Sequence, residues 1–212
     1  MSDGTKLTKE QFLEDVKDHR LTIIKDDGLY RHLRFKQPGT SHMFFDIVTW
    51  PGYLAYTGDM GSFVFTRIED MLGFFRSKRG ELGINTGYWG EKVVAESVFG
   101  NGIREFSVEA FRENVLEQTR QHLELEDDEK IPPEIMDEIE SLLRAEDEYE
   151  CVESMRNFNS DKIDFPDFWE CSNRRKTLHY VWCCWALTWG VSKYDEAKAA
   201  ATDTETKEAR DE

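Results

Sequence analysis

Between residues 21 and 66 the chain is cut into short β-rich runs by very tight links: Asp27-Gly28, Pro51-Gly52, and Gly58-Asp59-Met60-Gly61. Links this short can only fold a strand back on its neighbour, because parallel strands need a crossover of a dozen residues or more. The runs "LTIIKDDGLYRHLRF", "MFFDIVTW", "YLAYT" and "SFVFTRI" therefore predict up to five strands in series, an antiparallel meander. In the second arm of the first hairpin Leu29, Leu33 and Phe35 alternate with Tyr30, His32 and Arg34, giving one apolar and one polar face. Pro51-Gly52 is the favoured central pair of a type II turn.

Helical signals precede and follow the meander. "TKEQFLEDVKDH" opens on a capping box, Thr8 with Gln11, and carries a short stripe of Phe12, Leu13 and Val16. "EDMLGFFRS" predicts a helix that turns Met71, Leu72, Phe74 and Phe75 to the sheet, and one more strand is expected near residues 92–98. From Ser107 the apolar period becomes helical, through Val108, Phe111, Val115 and Leu123. Pro132-Pro133 starts a second helix with Ile135, Ile139, Leu142 and Leu143 along one side. After a connector, "DFPDFWECSN", comes the last long helix, "RRKTLHYVWCCWALTWGVSKYDEAKAA". The fold class is α+β. A sheet with short helices covers residues 1–105, an acidic helical region packed on it covers 106–201, and a disordered polar tail covers 202–212.

Charge is divided as unevenly as structure. The net charge of 212 residues is −16, yet residues 1–100 sum to about −1. Residues 124–153 alone hold fourteen acids against Lys130 and Arg144. Solvated helix faces account for such a segment in many proteins. Calcium binding does not suit it, because "LEDDEK" lacks the alternating ligands and sixth-position glycine of a calcium loop. The third reading is imitation of a nucleic-acid backbone. Drawn out as one helix, thirty residues would span about 45 Å. Twelve net charges over that length are about one per 4 Å, against one per about 1.7 Å of duplex DNA. Folding helices side by side would raise the density. Such a surface repels nucleic acid and competes for basic clefts on proteins that handle it. Arg76-Ser77-Lys78-Arg79 and Arg174-Arg175-Lys176 are basic clusters that could pair with it instead.

Catalytic signals are sparse. Asp59 lies between Gly58 and Gly61 with Asp46 one strand away, and Tyr88 and Trp89 are the other polar or aromatic candidates for a small enzyme site among the sheet loops. Two glycines around a polar pair are equally what a tight turn needs, and a bend is the preferred reading. The chain contains no P-loop, GxGxxG, GxSxG or HExxH. No catalytic residue, metal or cofactor is assigned. Cys151, Cys171, Cys183 and Cys184 read as reduced thiols, and the adjacent pair as small buried hydrophobes. Leu178, Trp182, Trp185 and Trp189 form a stripe at heptad-like spacing, a core seam or a homodimer seam. No apolar run is long enough for a membrane span.

Three phrases occur in order: "FDIVTWPGYLAYTGDMGSFVFTRIEDMLGFFR", "INTGYWGEKVVAE" and "YVWCCWALTWGVSKYDEAK". Together they resemble a widespread family of uncharacterised proteins encoded by temperate bacteriophages and prophages, across residues 27–198. The resemblance implies a phage accessory or early protein acting in the cytoplasm of the bacterial host, and implies no catalytic residue. Joined to the acidic segment, it leads to a non-enzymatic protein that inhibits or modulates a host nucleic-acid-processing defence complex, such as a CRISPR effector or restriction enzyme. The expected contacts are Glu126, Asp127, Asp128, Glu129, Glu134, Asp137, Glu138, Glu146, Asp147 and Glu148, with no direct binding of nucleic acid. A small enzyme, or an assembly protein using the tryptophan stripe, is the alternative.

Overall fold

The computed structural model describes the backbone of residues 7–77, 81–98, 102–126 and 128–211, with side chains described through residue 203. Helix α1 (Lys9–Asp15) starts on the expected capping box: Thr8 Oγ accepts the Gln11 N–H, and the Gln11 side chain accepts that of Thr8. Five strands then follow in succession: β1 (Arg20–Asp27), β2 (Tyr30–Lys36), β3 (Phe45–Trp50), β4 (Tyr53–Gly58) and β5 (Gly61–Thr66). After α2 (Met71–Phe75) and α3 (Thr86–Gly90), β6 (Val93–Glu96) joins the far edge. The sheet order is β1-β2-β3-β4-β5-β6, every pair antiparallel. The five-strand meander is therefore present, and the further strand expected near residues 92–98 joins it as the sixth.

β7 (Arg104–Phe106) and β8 (Arg174–Lys176) form a separate two-stranded sheet. Between them lie α4 (Val108–His122), α5 (Pro133–Leu143), α6 (Glu148–Arg156) and a 3-10 turn at Phe168–Glu170. Helix α7 (Leu178–Asp211) closes the chain. Two expectations need correction at its ends. The sequence starts this helix at Arg174, but Arg174–Lys176 are extended, and Thr177 caps the helix by accepting the Tyr180 N–H at 3.0 Å. The sequence also ends it near Ala201, but the helix continues to Asp211. Nothing stops it there: the stretch from Ala199 is alanine, threonine and charged residues, without glycine or proline.

The chain divides into two compact units. One comprises Met1–Ile103 with Lys176–Glu212, the other Arg104–Arg175. The sequence boundary near residue 105 is close at one end, but it assigns the last helix to the wrong half. Helix α7 belongs with the sheet for reasons visible in its contacts. Trp182 donates its indole N–H to Asp15 on α1 at 2.9 Å, and Tyr180 donates to the Thr86 carbonyl at 3.0 Å. Tyr194 donates to Asp26 on β1 at 2.7 Å, and Arg76 pairs with Asp195. Gly190 lets the helix approach closely, since a Cβ there would lie 2.9 Å from Ile47 Cδ1. The core beneath is aromatic, with Phe12, Phe35, Phe45, Tyr56, Phe63, Phe65 and Trp182 fully buried. Arg31 interrupts the apolar row Leu33-Phe35 on the same sheet face. Asp70 accepts two of its N–H groups at 2.9 and 3.2 Å, and Asp26 lies 3.8 Å from its Nε.

The second unit has its own core, built from Phe111, Val115, Ile135, Ile139, Leu142, Cys151, Met155 and Phe168. Helix α6 was not distinguished in the sequence. Only Cys151 and Met155 of its nine residues are buried, too few for a visible period, and its start is marked by the Asp147 cap, which accepts the Glu150 N–H at 2.8 Å.

Candidate functional site

The second unit carries 22 acids against nine bases, so −13 of the net −16 lies within its 72 residues. Its charge is displayed by a simple partition of helix α5. Ile135, Ile139 and Leu142 are buried, whereas Glu134, Asp137 and Glu138, three and four residues apart, share the opposite side. An eleven-residue helix is about 16 Å long. The linear estimate of one charge per 4 Å therefore does not describe the surface, because the acids gather on α5 and the loops at its two ends.

Of the ten expected contact residues, Asp127 lies outside the described residues. The other nine are all at the surface, with Glu138 half-buried. Four have work within the unit. The Glu129 carboxylate accepts the Glu126 N–H at 3.0 Å, Asp147 caps α6, Glu138 pairs with Lys162 at 2.8 Å, and Glu148 lies 3.8 Å from Arg174. The Lys162 bond, helped by Ser160, holds the Glu138 carboxyl below its ordinary pKa. Among the described residues the side chains of Glu126, Asp128, Glu134, Asp137 and Glu146 make no hydrogen bond or close ion pair. The anticipated pairing of the second basic cluster occurs in part: Arg174 faces Glu148, and Arg175 pairs with Glu113 rather than with the expected set. In the first cluster Lys78 and Arg79 lie outside the described residues, and Arg76 pairs with Asp195. Most of the acidic surface is left unneutralised.

The alternative catalytic set is dispersed. Asp46 is buried on the sheet face opposite the aromatic core, where Arg34 donates to its two oxygens at 2.8 and 2.7 Å and His32 Nε2 lies 3.0 Å away. Burial alone would raise its carboxyl pKa, but the bonds from Arg34 and then His32 outweigh burial and hold it below the ordinary value. This triad was missed, although the β2–β3 register puts Arg34 opposite Asp46. Asp59 sits instead in the turn that joins β4 and β5, where it accepts the Met43 N–H at 2.9 Å. Tyr88 is at the surface under Lys92, and Trp89 is buried against Phe75. The loop Gly58-Asp59-Met60-Gly61 is a bend, as expected.

A carboxylate held below its unfolded pKa contributes stability that is complete above the unfolded value and is lost as pH falls through the folded one. Asp46 therefore makes the first unit less stable as pH drops below about 4. In urea unfolding between about pH 5 and pH 2.5, Asp46→Asn should show a visibly shallower decline in stability than the parent chain. Equal slopes would mean that the triad is not formed.

The adjacent cysteines are equally closed to thiol chemistry. Cys183 and Cys184 are fully buried in α7, and burial raises the first well above its ordinary pKa and the second to about 12. At neutral pH neither is a thiolate nucleophile. Among the described residues no group of three His, Cys, Asp or Glu is placed to hold a metal ion, and no helix is long and apolar enough to cross a membrane. The tryptophan stripe is consumed within the chain: Trp182 is fully buried, Trp189 nearly so, and Trp185 stacks on Phe12. A homodimer seam through Trp182, Trp185 and Trp189 would have to withdraw these rings from their own core.

No protein-family model, no curated protein and no solved structure matches the chain.

Proposed function

We propose that this chain is a binding protein whose acidic unit occupies a basic, nucleic-acid-binding surface of another protein and thereby inhibits or modulates it. The observation that carries this reading is the segregation of charge. One compact unit holds −13 of the −16, and among the described residues the side chains of five of its surface acids make no hydrogen bond or close ion pair. Unpartnered carboxylates on a small folded support keep their charge available, and they accelerate encounter with a basic cleft over roughly a Debye length, about 10 Å at 0.1 M salt. Taken together with the phage resemblance, the target we propose is a host defence complex that processes nucleic acid, such as a CRISPR effector or restriction enzyme, in the bacterial cytoplasm. No reaction is needed for this activity, and the dispersal of Asp46, Asp59, Tyr88 and Trp89 favours none.

The structure refines the variant that tests it. Reversing Asp147, Glu138 or Glu148 would disturb a cap or an ion pair, whereas Asp128, Asp137 and Glu146 are free of such roles. The triple variant Asp128→Lys, Asp137→Lys, Glu146→Lys should keep its unfolding midpoint within about 1 kcal/mol of the parent, as surface changes do. In affinity capture from bacterial lysate at two salt concentrations, the parent should retain a nucleic-acid-processing complex that duplex DNA displaces. The triple variant should lose it. Retention of the same complex by the variant, or indifference to competing DNA, would sink the proposal.

A further inference from the structure

The first unit has two sheet faces, and its helices pack on only one. Phe12 of α1, Met71, Leu72 and Phe75 of α2, Trp89 of α3 and the apolar side of α7 all join the core formed by Leu33, Phe35, Phe45, Ile47, Leu54, Tyr56, Phe63 and Phe65. The register fixes what the opposite face carries. Its first row runs Tyr30, Trp50, Tyr53 and Thr66; its second runs Lys25, His32, Val48, Ala55, Val64 and Ala95; Thr22, Arg34, Asp46, Thr57 and Ser62 form a third. Arg20 and Lys36 pair beyond these. Tyr30 is 51% and Tyr53 40% exposed.

This composition is unusual for a chain of net charge −16. Arg20, Lys25, Arg34 and Lys36 all lie on the outer face of β1 and β2; Arg34 is spent on Asp46 and Lys25 lies 3.9 Å from Asp27, which leaves a net excess of two positive charges at these six positions. Beside them is a groove of about 540 Å³ whose lining includes Tyr30, Trp50, Val48, Lys25 and His32, with Lys25 Nζ 5.5 Å over the Tyr30 ring. Trp50 stacks on Tyr53 on its other side, centroids 5.4 Å apart and planes 14° from parallel. That stack covers one face of the indole and holds the ring in place. Solvent-facing sheet positions usually carry polar residues, so three aromatic rings in one row at this face call for an occupant.

We infer that the outer face of this sheet binds single-stranded nucleic acid. Bases would stack on the exposed row of Tyr30, Trp50 and Tyr53, and stacking needs no particular base because every base has a π-face. The phosphates would lie along Lys25 towards Arg20 and Lys36, so the backbone crosses the strands next to the aromatic row. An acidic peptide would use the same cations but has nothing to stack on the rings. A free mononucleotide would fill the groove and leave Arg20 and Lys36 unused. The site is separate from the acidic unit and does not depend on the function proposed for it. It also revises the expectation of no direct nucleic-acid contact, which rested on the acidic half alone.

The test is an anisotropy titration of the full chain with labelled ten-nucleotide oligo(dT) and oligo(U), duplex DNA, and a deca-glutamate peptide, beginning at about 50 mM salt. At least one single strand should bind, and more tightly than duplex or peptide. Trp50→Ala and Tyr30→Ala should each weaken it between about fivefold and a hundredfold, the usual range for one stacking ring. Tyr30 is half exposed and its loss does not threaten folding, which urea unfolding of both variants would confirm. Lys25→Ala should reduce the slope of log affinity against log salt by about 0.7, one phosphate contact on a single strand. Absence of single-strand binding overturns the inference. So does peptide binding as tight as oligonucleotide binding, or affinity unchanged in folded Tyr30→Ala and Trp50→Ala.

Discussion

Trp182→Ala should cost the first unit about 3–5 kcal/mol, the usual range for emptying a buried tryptophan site. That is a large part of the 5–15 kcal/mol that holds a typical domain together. Trp182 is fully buried, edge-on to Phe12 at 5.1 Å and to Phe45 at 5.8 Å, so its removal opens the junction of α1, α7 and the sheet. It also leaves the Asp15 carboxylate without the indole N–H it accepts. Trp182→Phe keeps most of the ring contacts, loses the hydrogen bond, and should show a clearly smaller loss. Urea unfolding followed by far-UV circular dichroism reads both values. The same experiment separates the two uses of a tryptophan stripe. A ring in an intermolecular seam would change the sedimentation coefficient and spare the monomer's stability. A ring in the core does the reverse, and the reverse is expected here.

That distinction shows where sequence reasoning stopped. Spacing of Leu178, Trp182, Trp185 and Trp189 identifies a strongly apolar helix, but the same stripe serves a core or a seam. What decides is whether the chain supplies a partner surface, and that partner is assembled from Phe12, Phe35 and Phe45, distant in sequence. The meander was legible because each strand pairs with its neighbour through a tight turn, so local signals determine global order. Arg31 illustrates the opposite case. It stands in the core-facing row between the turn and Leu33, where a carboxylate 39 residues away, Asp70, and the cross-strand Asp26 make that tolerable. The alternation of Leu29, Leu33 and Phe35 skipped it for that reason. Tyr30, His32 and Arg34 were recognised as a polar face. Trp50 and Tyr53 joining Tyr30 in one exposed row became apparent only once strand register was known. The acidic contacts were legible as composition alone. Which of them are free of internal partners depends on folds that bring Lys162 to Glu138 and Arg174 to Glu148.

Gly58→Ala should be among the most damaging single-methyl changes in the chain, at or above about 3 kcal/mol, the upper end of ordinary overpacking. Both glycines of "GDMG" were expected for their tolerance of positive φ, and Gly61 fits that account, with φ of +116°. Gly58 does not, since its backbone is not in that region. It is required for space. A Cβ there would lie 2.2 Å from the Phe44 carbonyl oxygen and 2.8 Å from Phe45 Cα, both backbone atoms that cannot rotate away. The crowding has a purpose in the fold. The Phe44 carbonyl accepts the Asp59 N–H at 3.0 Å, Asp59 accepts the Met43 N–H, and His19 Nε2 donates to the Met43 carbonyl at 3.0 Å. These bonds pin Met43 in a left-handed conformation, φ +52°, at the entrance to β3. Gly28→Ala is the matched control. Its φ of +59° carries only the left-handed penalty, about 1–2 kcal/mol, with no atom within 4 Å of the added methyl. Urea midpoints should therefore fall much further for Gly58→Ala than for Gly28→Ala. If the two fall equally, Gly58 is there for its backbone freedom, and the strand has room that the geometry denies.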